Sequence, residues 1–218
     1  MRNRLRRRGA TIALAALALC PVTAAQAHPH VFVTATEEVL FGADGLVTGV
    51  RHAWRFDDMY SSFVIQGLGP EGAILTREQL APLAKTNVES LAEFGYFTIV
   101  KASGKQGEFG APVDYWLEES ADRLVTLHFT LPLKTPASAG RVLTLSVYDP
   151  TYFVAFSLAE KDPVALRDAP AGCSASVSKP KALDAADTQK LNESYFSNLS
   201  PGMDFGIKLA ERAIVACP

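Results

Sequence analysis

From residue 30 onward the chain alternates apolar and polar positions in short runs divided by turn residues, the period-two signature of half-buried strands. Val31-Phe32-Val33-Thr34-Ala35-Thr36, followed by Val39-Leu40-Phe41, predicts a strand over residues 30–41. Gly42-Ala43-Asp44-Gly45 is a turn cluster, and a second strand follows over 46–56, so the pair reads as a hairpin. In that second strand Leu46, Thr48, Val50, His52, Trp54 and Phe56 share one face, while Arg51 and Arg55 fall on the other. Asp57-Asp58 then breaks the strand and offers an N-cap for a helix reaching residue 68. Thr76 with Gln79 three residues later has the form of a capping box. Leu80, Leu83, Ala84, Val88, Leu91 and Phe94 recur at helical spacing until Gly95, so helices are predicted around 57–68 and 76–94.

Period two returns after residue 96. Strands are predicted over 97–100, 113–118, 123–133, 141–148 and 152–158, with a loop over 132–140. His128 lies with Leu124, Thr126 and Thr130 on the more polar face of its strand. Residues 173–178 suit a further strand and 183–197 are weakly helical, while 205–215 fits either a strand or a helix. The whole is a mainly β chain of the α+β class with a helical insert over 57–95. The expected architecture is an antiparallel β-sandwich or curled sheet.

The first 27 residues follow a different pattern. Arg2, Arg4, Arg6, Arg7 and Arg8 precede an apolar run over 10–22, and Ala25-Gln26-Ala27 has the small-x-small form of a signal-peptidase site. They read as a signal peptide, leaving a single periplasmic domain over 28–218 with no membrane span after cleavage. Removal of those five arginines takes Lys+Arg from 21 to 16 against 23 Asp+Glu, a net charge near −7. With no clustered basic tract to neutralise phosphates, nucleic acid is a poor partner. Cleavage also removes Cys20 and leaves Cys173 and Cys217, most simply a disulfide in an oxidising compartment that ties down the C-terminal tail.

Cleavage after Ala27 makes His28 the first residue of His28-Pro29-His30. Side chains two apart on an extended backbone point the same way, and proline favours extension at the residue before it. Two imidazoles and the new α-amine then face one ion, and such nitrogen ligands suit Zn, Ni, Co and Cu. Proline lacks the N–H that a chelate through deprotonated backbone amides requires. The terminus carries at most three nitrogens, so further ligands are sought in the folded body: Asp149, Asp57, His52 and His128. Each has an ordinary alternative, as turn starter, helix cap, core histidine and solvated histidine. Serine-hydrolase elbows, His-Glu-x-x-His, phosphate-binding glycine loops and dinucleotide fingerprints are absent from the sequence, so an enzyme is not expected.

One set of spaced residues resembles the domain of unknown function 1007 family of exported bacterial proteins. The matching pieces are His28-Pro29-His30-Val31-Phe32, Trp54-Arg55-Phe56-Asp57 before Ser61, Tyr96-Phe97-Thr98 and Tyr148-Asp149-Pro150-Thr151-Tyr152, with Cys173 and Cys217-Pro218. Members are often labelled as periplasmic components of an uncharacterised transport system and are linked with membrane transporters of the nickel/cobalt type. The resemblance implies handling of a divalent transition metal beside an inner-membrane metal transporter, with His28, His30 and Asp149 foremost and Asp57 behind them. The alternative is a metal-free structural or interaction domain of the envelope.

Overall fold

A computed structural model describes residues 29–218 except 71, 190, 192–194 and 196–203. The expected signal peptide and His28 lie outside the described residues. Two open sheets share one hydrophobic cluster. The first holds β1 (Val31–Phe41), β2 (Val47–Phe56), β5 (Val113–Glu119), β6 (Val125–Ala137) and β8 (Val154–Leu158) in the order β5-β6-β2-β1-β8, with β9 (Val164–Arg167) also on β1. The second holds β3 (Thr98–Ala102), β4 (Lys105–Gln106), β7 (Leu143–Val147), β10 (Ser174–Ser178) and β11 (Arg212–Ala216) in the order β10-β11-β7-β3-β4.

The β1–β2 hairpin forms, with Val33, Ala35 and Val39 inward on β1 and Val50, His52 and Trp54 inward on β2 as expected, but a register shift between Val47 and Gly49 buries Val47 in place of Leu46 and Thr48. The mainly β, α+β class holds, but the first sheet is mixed rather than wholly antiparallel. β8 and β9 lie in tandem along β1, both parallel to it, pairing Val31 with Val154 and Glu37 with Val164. The cause is the route of the chain. It leaves β7 in the second sheet and crosses through Asp149–Phe153 into the first. The loop expected over 132–140 belongs mostly to β6, which continues to Ala137.

The insert between β2 and β3 holds α1 (Asp58–Val64) and α2 (Arg77–Leu91), shorter than the expected 57–68 and 76–94. Asp57 caps α1, and the Thr76–Gln79 capping box opens α2 with both of its hydrogen bonds present. Leu80, Ala84 and Val88 bury the inner face of α2, which packs on β5. After Leu91 the chain tightens into a 3-10 segment over Ala92–Phe97, and Gly95, Tyr96 and Phe97 all take left-handed backbone conformations. That break leaves Phe94 out of the core face to which the helical spacing assigned it.

The tail resolves the open alternative by containing both forms, a 3-10 turn over Gly206–Lys208 and then β11. Of the expected weak helix over 183–197, Ala185–Gln189 is α3 (the rest is described only in part). Cys173 and Cys217 form the disulfide, with Cα atoms 4.1 Å apart, fastening β10 to β11 at their joined ends. No helix among the described residues is long and apolar enough to cross a membrane.

Candidate functional site

Three of the residues singled out in the sequence meet at one end of the first sheet. Antiparallel pairing sets Val33 opposite Phe56, so Asp57 emerges beside Phe32. There its Oδ2 accepts from Phe32 N–H at 2.6 Å and its Oδ1 from Tyr60 N–H at 2.8 Å. One carboxylate thus caps a helix and closes the start of β1. His30 lies next to it along the chain. The His30 N–H donates to Phe153 O at 2.9 Å, and its ring rests on the Phe153 ring with centroids 4.7 Å apart. Phe153 precedes β8, whose first residue pairs with Val31.

Asp149 organises the turn that delivers Phe153. Its Oδ1 accepts from both the N–H and the hydroxyl of Thr151 at 2.8 Å, and its Oδ2 from Val154 N–H at 3.0 Å. The backbone behind it is equally close. A Cβ on Gly206 would stand 1.9 Å from Asp149 O, so only glycine lets the tail cross the turn there. Phe205 and Gly206 N–H both donate to Pro150 O, locking the crossing. His30, Asp57 and Asp149 are therefore brought to one end of the sheet, but both carboxylates are already bonded to the local chain. Among the described residues, no three His, Cys, Asp or Glu side chains gather in a way that would hold a metal ion.

His52 and His128 lie elsewhere. His52 is fully buried deeper along the hairpin, directly opposite Glu37. Its Nδ1 approaches Glu37 Oε2 at 2.5 Å, and its ring stacks on Phe129 with centroids 4.5 Å apart. The other Glu37 oxygen accepts from Trp54 Nε1 at 3.3 Å. The core-histidine alternative thus describes its surroundings. No motif marks Glu37 in the sequence; its signal is the inward parity it shares with Val33, Ala35 and Val39. His128 stacks on Trp116 at 4.5 Å, with the Arg77 guanidinium 4.3 Å over the same indole. Burial pushes its imidazole below the usual histidine range, against the opposing pull of Glu118 at 3.4 Å.

The same end of the first sheet carries a feature no motif announced. A pocket of about 530 Å³ opens between α2, the following 3-10 segment and the starts of β1 and β8. Trp54 and Phe56 on β2 and Phe156 on β8 contribute rings to it. Phe94 and Phe97 flank it on one side and Phe153 on the other, so the ring that carries His30 is also pocket wall. Asn87, Ser90, Asp149 and Thr151 are polar members of the lining.

The model of a protein family described as "Protein of unknown function (DUF1007)" matches residues 13–217. A protein of Haemophilus influenzae described as uncharacterized is 24% identical over 198 residues, covering 88% of this chain and 91% of its own length.

Proposed function

The chain belongs to the DUF1007 family, and on that premise we propose that it is a periplasmic accessory protein that carries a divalent transition metal to or from an inner-membrane transporter. The metal is cargo. Its ligands are the α-amine and imidazole of a processed His28 and the imidazole of His30, a nitrogen-rich set suited to Zn, Ni, Co or Cu. The observation that supports this reading is the seating of His30. A histidine on a free arm would lose much conformational entropy on binding an ion. Here the His30 backbone is tied to Phe153 O and its ring lies against the Phe153 ring. Pro29 favours an extended backbone at the residue before it. Asp57 and Asp149 hold the platform through the chain hydrogen bonds they accept. His52, closed into the core beside Glu37, takes no part.

Calorimetric titration of the exported protein with each of the four metals tests the reading. The double substitution His28→Ala with His30→Ala is expected to weaken the preferred metal at least a hundredfold. A glycine inserted before His28 moves the amine and is expected to weaken it at least tenfold. Equal affinity for all four metals in wild type and both variants would sink the terminal site. A metal-free interaction domain of the envelope remains the second reading, and the aromatic pocket is the observation that favours it.

A further inference from the structure

We propose that the pocket beside His30 is a binding site for an uncharged, mainly apolar small molecule with an aromatic or branched hydrocarbon body. Its volume of about 530 Å³ falls within the roughly 300–1,000 Å³ typical of pockets that enclose drug-sized ligands. Its floor is built from core side chains, since Trp54 and Leu127 are almost wholly buried yet line the cavity. Two walls stand out into solvent instead of collapsing onto that floor. Phe94 is 59% and Phe153 47% exposed.

The backbone beneath those walls is held in costly conformations. Tyr96 and Phe97, with φ of 56° and 49°, follow Gly95 in the left-handed region, and Tyr152, with φ of 57°, stands immediately before Phe153. Left-handed backbone at bulky residues is disfavoured and persists where the surroundings over-determine it, often at ligand clamps. Each strained segment adjoins a ring of one cavity: Phe97 is itself left-handed and lines it, and Phe153 follows left-handed Tyr152. A helix continuing past Leu91 would instead carry Phe94 and Phe97 along its own surface.

Charge selects the class of ligand. No lysine, arginine or histidine is among the described lining residues, and the one charged side chain is Asp149. A ligand carboxylate or sulfonate would enter an apolar site with no cation to pair with and a carboxylate in the wall, which is strongly unfavourable. The remaining polar groups are neutral. Tyr60, Asn87, Ser90 and Thr151 supply them to the lining. They suit one or two neutral hydrogen-bonding groups on an otherwise apolar body.

Fluorescence titration of the exported chain with two probes tests the proposal. N-phenyl-1-naphthylamine is neutral, and 1-anilinonaphthalene-8-sulfonate has a similar ring system with a negative charge. The neutral probe is expected to bind saturably at one site, with the anionic probe at least tenfold weaker. Ser90→Phe fills the cavity from an exposed helix position, and Phe94→Ala removes a wall. Each is expected to weaken the neutral probe at least tenfold with an unchanged circular dichroism spectrum and melting temperature. Absence of saturable binding, equal affinity for both probes, or unchanged binding in both variants overturns the proposal. None of these readouts uses a metal, so the terminal histidine site can fail while this one stands.

Discussion

The contact between Glu37 and His52 makes a quantitative demand on stability. Both side chains are fully buried, on directly paired residues of β1 and β2. His52→Leu removes the partner from Glu37 Oε2 and leaves a carboxylate in the core with Trp54 Nε1 as its hydrogen-bond donor. Glu37→Leu strands the imidazole and the indole N–H together. Removing one member of a buried polar pair and leaving the other unsatisfied costs about 3 kcal/mol, the upper end for a neutral polar group and the lower end for a charged one. Replacing both with leucine removes the mismatch and leaves mainly the unpaired Trp54 N–H, a cost of about 1–3 kcal/mol. The two single substitutions therefore predict a summed loss far above that of the double, with a coupling of at least about 3 kcal/mol. Urea unfolding of the oxidised protein, followed by tryptophan fluorescence, measures it. With a slope of about 2 kcal/mol per M, each single substitution lowers the midpoint by roughly 1.5 M and the double by roughly 1 M. If the double loses the sum of the singles within about 0.5 kcal/mol, Glu37 and His52 are independent and the pairing carries no energy.

Two further outcomes follow from other contacts. Cys173 and Cys217 are 44 residues apart, so replacing both with serine is expected to lower stability by about 4 kcal/mol on the chain-entropy model. Equal melting temperatures for wild type and the serine variant, with the wild-type bond intact, would contradict that. Burial, together with the Asp204 carboxylate accepting from its hydroxyl at 2.8 Å, pushes Tyr148 well above the usual tyrosine range. The unfolded chain releases this proton near pH 10 while the folded chain keeps it, so stability is full below about pH 10 and falls as pH rises beyond it. Tyr148→Phe is expected to flatten that alkaline loss in urea midpoints measured from pH 8 to 11, and an unchanged slope would refute it.

What could be read from the sequence was local. The hairpin, the Asp57 cap and the Thr76–Gln79 box each depend on residues a few positions apart, and each forms. The disulfide was legible because setting Cys20 aside with the expected signal peptide leaves two cysteines and one pairing. The parallel docking of β8 and β9 was not, because no local pattern says which strand a distant segment will join. β9 is only four residues, Val164–Arg167, too short for a period-two pattern to mark it. Glu37 was legible by parity, since an acid on the inward face of a strand needs a partner and His52 stood at the matching position of the next strand. The pocket was hidden for a different reason. Helical spacing placed Phe94 in the core, and the 3-10 segment after Leu91 that leaves it exposed has only Gly95 as its sequence signal.

Asp149 shows how a carboxylate can serve a site through the backbone it holds and not by ligating an ion. In the sequence it stood out as a carboxylate to complete a metal shell. In the fold its oxygens accept from Thr151 and Val154, and its backbone oxygen accepts from Tyr152 N–H at 3.0 Å. Those bonds hold the turn in which Tyr152 is left-handed and Phe153 projects. Phe153 supports His30 on one flank and walls the apolar pocket on the other. One turn therefore positions both His30 and the mouth of the cavity. The proposed sites keep separate ligands but share a foundation. Substitution of Asp149 would disturb both through the backbone, whereas substitution of His28 and His30 or of Ser90 addresses one at a time.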